Sequence, residues 1–267
     1  MEKRKKHTTS WGGVADWYSS YLETTEDSYQ NRVILPNLLR VLALKPGMKI
    51  IDIACGQGFF SREFAAAGAE VVASDLAQSL ITHAKKLSDN PAKRGSGALS
   101  APTIRYYVAP ADNLNFTKSG LFDAATIVLA IQNIKNIDGT FAEAKRVLKP
   151  GGKLIMVLMH PAFRIPGHSS WGFDDEKQEQ YRRVDAYLSS QKAELLVHPG
   201  KKDSPKTTSY HRSLQDFSKA LFKAGFSITR LEEWISHKQS QSGPRQKTED
   251  TSRKEIPMFL MLECRSN

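Results

Sequence analysis

The chain has 267 residues, 40% hydrophobic and 25% charged, with a formal net charge of +10. That balance can bury a sizeable core and excludes wholesale disorder, and no apolar run approaches the ~20 residues of a membrane-spanning helix. A basic excess can signal nucleic acid, but here the charges scatter over a tail (Lys3 to Lys6) and separate segments around Lys85, Arg94, Lys201, Lys206 and Arg253, without one stripe interleaved with aromatics.

The first helical patterns cover Val14–Leu22 and Asp27–Leu44. In the second, Val33, Leu35, Leu38, Leu39 and Leu42 recur at helical spacing, and Lys45-Pro46-Gly47 stops it. Met48–Ile53 reads as a buried strand followed by a glycine turn. Phe59–Ala67 is a helix closed by Gly68, Glu70–Ser74 a strand, and Ala77–Leu87 a helix before the breaker-rich loop Asp89–Pro102. Strands then follow at Ile104–Val108, Phe122–Leu129 and Lys153–Met159, with a helix over Gly139–Leu148 between the last two. Strands alternating with helices of ~10–15 residues predict right-handed βαβ units and a parallel sheet.

After Pro161 the rhythm breaks. Residues 161–212 are rich in aromatics, His, Arg and Pro, with one helical stretch around Glu176–Leu188, and read as an inserted cap. Leu214–Ala224 is a helix with Ser213 as N-cap and Gly225 as stop. Strands Ser227–Trp234 and Pro257–Arg265 flank a polar loop, 235–256. The expectation is a single α/β domain over residues 1–267: a doubly wound, seven-stranded, mostly parallel sheet with a helical N-terminal segment, 1–44, and a cap at 161–212. Cys55 and Cys264 do not make a disulfide framework, and no apolar leader follows the basic N-terminus. Both features predict a soluble, cytoplasmic protein.

The sharpest motif is Asp52-Ile-Ala-Cys-Gly56-Gln-Gly58 between a strand and a helix, where glycines permit a tight turn and close approach of backbone to a ligand. It is not the dinucleotide Gly-x-Gly-x-x-Gly, because Phe59-Phe60-Ser61 fills the place of the third glycine. Asp75, at the end of the second strand, can accept hydrogen bonds from both hydroxyls of a ribose. Asp52, before the turn, repels a pyrophosphate and suits a ligand carrying a cationic amine or sulfonium.

At these residues the sequence resembles the class I S-adenosylmethionine-dependent methyltransferases, and most closely their type 11 group. Asp52 to Gly58 looks like the family's cofactor loop, with Ala54 where its first glycine stands. Ala109-Pro-Ala111-Asp112-Asn113-Leu114 resembles the segment that contacts adenine, and Arg146-Val-Leu-Lys-Pro-Gly-Gly-Lys-Leu154 the family's turn into the fifth strand. The resemblance covers residues 27–160, and 213–265 by topology. It implies a Rossmann-like fold with S-adenosyl-L-methionine as cofactor. Asp52 and backbone from Ala54 through Cys55, Gly56 and Gln57 to Gly58 would lie at the amino-acid end, and Asp75 would hold the ribose. Leu76, Ala111 and Asp112 would surround the adenine, and Leu129 would sit beside the sulfonium.

Ligands of open parallel sheets bind beyond the carboxyl ends of the strands, which is where the cap and the start of the 235–256 loop emerge, so both are expected to form a lid. His160, just past the fifth strand, is the candidate general base. Arg164, Trp171, Tyr210 and His211 are candidate acceptor contacts, with Arg182 and Arg212 as further anion clamps. No cluster has metal-ligand spacing. The resulting expectation is methyl transfer to a small organic acceptor; an RNA or protein acceptor, and a non-catalytic cofactor-binding protein, are the alternatives.

Overall fold

Alternating apolar runs and amphipathic segments build one large sheet wrapped on both faces, seen in a computed structural model that describes residues 10–90, 104–196 and 204–267. The Lys3–Lys6 tail, Lys93 and Arg94, most of the Asp89–Pro102 loop, and Lys201 lie outside the described residues. Helices are α1 (Ala15–Thr24), α2 (Leu35–Leu42), α3 (Phe59–Ala66), α4 (Gln78–Asp89), α5 (Ile137–Val147), α6 (Leu214–Lys223) and α7 (Gln246–Glu255). Strands are β1 (Lys49–Ile53), β2 (Glu70–Asp75), β3 (Ile104–Val108), β4 (Phe122–Val128), β5 (Leu148–Met159), β6 (Ser169–Asp174), β7 (Glu179–Val184), β8 (Gln191–Leu196), β9 (Lys206–His211), β10 (Phe226–Trp234) and β11 (Phe259–Ser266). Among the described residues no helix is long and apolar enough to cross a membrane.

The main sheet has the order β10-β11-β5-β4-β1-β2-β3. Strand β11 runs against the other six strands, pairing antiparallel with both β5 and β10. Strand periodicity of two sends alternate side chains to opposite faces. Ile50, Ile155 and Val157 pack under α2, α3 and α4 with Leu38, Phe64 and Ile81. Ile51, Ile53, Leu154 and Met156 pack under α5 and α6 with Phe141 and Phe217. Burial on both faces explains why β1 and β5 read as continuous apolar runs.

Strand β1 lies between β2 and β4, parallel to both. The chain leaves β1 toward one face and β4 toward the other, which opens a crevice at their carboxyl ends. Helix α6 begins as the sequence predicts: the Ser213 side chain accepts the Asp216 amide, Asp216 reciprocates, and Gly225 follows with φ +80°.

Three expectations need correction. Residues Glu176–Leu188 are not helical; β6 and β7 form an antiparallel hairpin in which Gly172 faces Tyr181. A Cβ on Gly172 would lie 2.4 Å from Tyr181 Cζ, so the ring packs over the bare glycine and pins the register. The cap is therefore two hairpins, β6-β7 and β8-β9. The 235–256 segment is not wholly a loop, since it contains α7. That helix has almost no apolar face, and its Ser252 hydroxyl donates to the Gln180 carbonyl of β7 at 2.8 Å. Finally, the Asp27–Leu44 helix is interrupted by a π turn at Gln30–Ile34 ahead of Pro36, which has no N–H to donate, and ends early where Ala43 turns left-handed at φ +46°.

Candidate active site

A cavity of about 530 Å³ opens at the carboxyl ends of β1, β2 and β4, a size suited to a nucleoside-sized ligand. Asp52, Ala54, Cys55, Gly56, Gln57, Asp75, Leu76, Ala111, Asp112 and Leu129 all line it. Gly58, predicted to touch the same ligand, does not line this wall. It takes φ +78° at the N-cap of α3, and a Cβ there would meet the Tyr106 hydroxyl at 2.6 Å. Its missing side chain makes room for a tyrosine rather than for a ligand.

Two buried carboxylates organise the cavity. Asp52 accepts the Ser61 hydroxyl at 2.6 Å on one oxygen and the Thr126 hydroxyl at 2.7 Å on the other. Burial still outweighs these bonds and pushes its carboxyl up to about 6. Asp75 accepts the Gly56 amide at 2.9 Å and the Ala77 amide at 2.8 Å, and burial raises its carboxyl as well. Burial, with Asp52 and Asp75 nearby, pushes the Cys55 thiol well up, so it is no thiolate nucleophile.

The turn itself is strained. Ala54 and Leu129, both on the cavity wall, hold left-handed backbone at φ +58° and +53°, where a side chain is disfavoured. The Ala54 substitution is thus more than a matter of close approach: the position calls for glycine's backbone freedom. On the same cavity wall, Gln57 is buried and its amide oxygen accepts from Arg62 at 3.0 Å. Its Nε2 donor has no hydrogen-bond partner. An orphaned amide donor on one cavity with two carboxyl groups fits a ligand that presents a carboxylate, an amine and hydroxyls together.

The profile of the methyltransferase domain family matches residues 51–156. Over those residues the chain is similar to the type 11 group of class I S-adenosylmethionine-dependent methyltransferases. S-adenosyl-L-methionine is the cofactor of that family. Over 132 residues the chain is 39% identical to a demethylmenaquinone methyltransferase of Parafrankia sp., covering 47% of this chain and 52% of the relative. It is 35% identical over 135 residues to a ubiquinone/menaquinone biosynthesis C-methyltransferase of Cereibacter sphaeroides, half of each chain. The chain thus spans about half the length of the curated relatives it matches. A solved S-adenosylmethionine-dependent methyltransferase from Mesorhizobium loti is similar over 86% of this chain and 96% of that one, at 25% identity and a TM-score of 0.63.

A second cavity of about 540 Å³ adjoins the first, and the two share Trp11, Leu129, Asn133 and Tyr210 as walls. Of the predicted acceptor residues, Arg164, Tyr210 and His211 line it. Trp171 lines neither cavity; its ring is a platform for Arg164 and Arg182, whose guanidiniums lie 5.5 and 5.2 Å from its centroid.

His160 is also displaced from its predicted role. It is buried away from both cavities, with Nδ1 accepting the Ala162 amide at 3.2 Å and Nε2 bonded to Glu233 at 2.8 Å. Since Nδ1 accepts, the proton sits on Nε2, and neither nitrogen is left for a substrate. The 235–256 segment lines neither cavity either, because α7 docks on β7, so it is no lid over them.

Sequence reasoning missed Asn136, whose amide donates to Asp112 at 2.8 Å and whose oxygen caps α5 by accepting the Gly139 amide. An Asn at that N-cap spacing was the available signal. It also missed Thr208, which the alternating Lys206–His211 pattern would have placed on the same face as Tyr210. Trp11, in a 3-10 turn before α1, carried no periodic signal.

Proposed function

We propose that this chain transfers the methyl group of S-adenosylmethionine to a small organic acceptor. The observation that carries this is the pair of adjoining cavities, one with two carboxylates at the glycine turn, which meet at Leu129. Bound in the first, S-adenosylmethionine supplies an electrophilic methyl on a sulfonium. In this reading Asp52 faces the cofactor's ammonium, the Gln57 Nε2 donor meets its carboxylate, and Asp75 takes the ribose hydroxyls. Leu76 and Ala111 flank the adenine, and Asp112, steadied by Asn136, accepts from its exocyclic amine. Backbone at Ala54, Cys55 and Gly56 closes the amino-acid end.

The acceptor enters the second cavity and reaches the reacting centre past Leu129. The hairpin strand β9, through Thr208 and Tyr210, walls that junction and excludes water, so rate comes from alignment in a dry site. Where the acceptor loses a proton, His211 is placed to take it. Its Nε2 donates to the Tyr187 carbonyl at 2.8 Å, which fixes the tautomer with a lone pair on Nδ1. Cofactor carrying a labelled methyl, incubated with the protein and a fractionated cell extract, tests the proposal. Label recovered in small molecules supports it; label in RNA or protein, or in nothing, refutes it.

A further inference from the structure

Three guanidinium groups, those of Arg164, Arg182 and Arg212, line the second cavity, and no Asp or Glu is among its described lining residues. Two of them are tied down by neutral acceptors only. Arg182 donates to the Phe163 carbonyl and the Ser169 hydroxyl, each at 2.8 Å. Arg212 donates to the carbonyls of Ile134 and Lys135, while its Nη1 is buried without a partner.

The Arg164 guanidinium has neither a hydrogen-bond partner nor a carboxylate among the described residues, and its Nε is buried. It is held beside the Trp171 ring that Arg182 also faces. Burial, and then the neighbouring Arg182 charge, pull its guanidinium down to about 10. Two like charges kept together, partly out of water and without a counter-charge, disfavour the empty state. That arrangement persists in a fold only where something offsets it, and a planar guanidinium pair is the usual answer to an oxyanion.

We infer that the second cavity recognises a methyl acceptor bearing an oxyanion, a carboxylate or a phosphate, which Arg164 and Arg182 clamp. Arg212, with its free Nη1, adds a third positive charge to the same cavity. Leu158, Ile165 and Phe217, also on the wall, take the apolar body of the acceptor, whose reactive end lies toward Leu129. This rests on the methyltransferase reading and narrows its substrate class: a neutral acceptor would leave the guanidiniums unanswered.

Calorimetry on the full chain loaded with S-adenosylhomocysteine tests it, with benzoate, phenyl phosphate and the neutral isostere benzamide as probes. At least one anion should bind tenfold or more tightly than benzamide, and which one does so separates carboxylate from phosphate. Arg164→Met and Arg182→Met should each cut that preference to threefold or less, with affinity for S-adenosylhomocysteine within twofold of the parent. If benzamide matches both anions in the parent protein, the inference is overturned without recourse to any variant. A preference that survives both substitutions overturns it too. Failure of the parent protein to bind S-adenosylhomocysteine would count instead against the proposed function, and the three probes titrated into the unloaded chain would still decide the anion question by the same criterion.

Discussion

The carboxylate of Asp75 accepts the amide of Gly56 at 2.9 Å, so the end of β2 holds the turn that leaves β1. The residue proposed for the ribose therefore also shapes the loop proposed for the amino-acid end. One side chain serves two parts of the first cavity, and losing it should damage both.

Asp75→Ala removes the acceptor for the Gly56 and Ala77 amides. Unmet amide donors cost about 1–3 kcal/mol. The variant should unfold at lower temperature and bind S-adenosylmethionine at least tenfold more weakly by calorimetry. Asp75→Asn, which retains one carbonyl acceptor, should fall between it and the parent. Unchanged affinity in Asp75→Ala would remove the ribose assignment.

Asp52 must be ionised to hold an ammonium, yet burial raises its carboxyl to about 6 in the empty protein. Affinity for S-adenosylmethionine should be full well above that value and weaken as the pH drops through it, by up to about tenfold per unit once the group is protonated. The stability sign is opposite to the usual carboxylate. Because the folded value lies above the ordinary 3.8, acidification from about 6 toward 4 favours the folded empty protein as far as this group is concerned. Asp52→Asn should weaken binding at pH 8 and flatten its pH dependence, and titrations between pH 5 and 8 would measure both.

Gly58→Ala should destabilise the chain by about 2 kcal/mol, through overpacking against Tyr106 and left-handed strain at φ +78°. Tyr106→Phe removes the nearest atom and also loses the Tyr106–Ser88 hydrogen bond of 2.9 Å. The double variant should be less destabilised than the sum of the two by about 1 kcal/mol or more, a coupling that denaturant unfolding can read. Simple additivity would place the clash elsewhere.

Ala54→Gly relieves a non-glycine residue at φ +58°. Left-handed backbone costs an alanine about 1–2 kcal/mol, against which glycine's greater unfolded freedom takes back up to ~1 kcal/mol. The expected outcome in denaturant unfolding is stability equal to or up to about 1 kcal/mol above the parent, while Ala54→Val should be clearly destabilised.

The two histidines near the end of β5 and in β9 should separate cleanly. His160 is buried and held neutral, with burial lowering its imidazole below the ordinary 6.5. The unfolded chain takes up that proton first, so this residue's contribution to stability falls as the pH drops below about 6.5. His160→Gln should alter that stability profile and leave the pH dependence of turnover in place. His211→Gln should lower kcat and change the pH dependence for any acceptor that must lose a proton. The reverse pattern would restore His160 as the base.

Much of this architecture was legible from short-range pattern. The apolar runs of β1, β4 and β5 are buried on both faces, and the helices between them carry one apolar side, so local periodicity and topology agreed. The glycine turn was legible because its backbone geometry depends on residues adjacent in sequence, Asp52 to Gly58 with Asp75 one strand away. The cap was less so. Its hairpins are held by cross-strand fits such as Tyr181 over Gly172, and α7 by docking on β7, neither of which leaves a periodic trace in its own segment.

The sequence by itself determined the doubly wound sheet and the chemistry of the turn, because each follows from steric rules and hydrophobic period over a few residues. Tertiary structure alone decided which loaded side chains face the cavities. His160 follows β5 and His211 ends β9, but one turns toward Glu233 and the other onto the Tyr187 carbonyl beside the second cavity. Gly58 proved to accommodate Tyr106, and Arg164 proved to lack a counter-charge. Direction and partnership arise from contacts between residues far apart in the chain, and no local pattern encodes them.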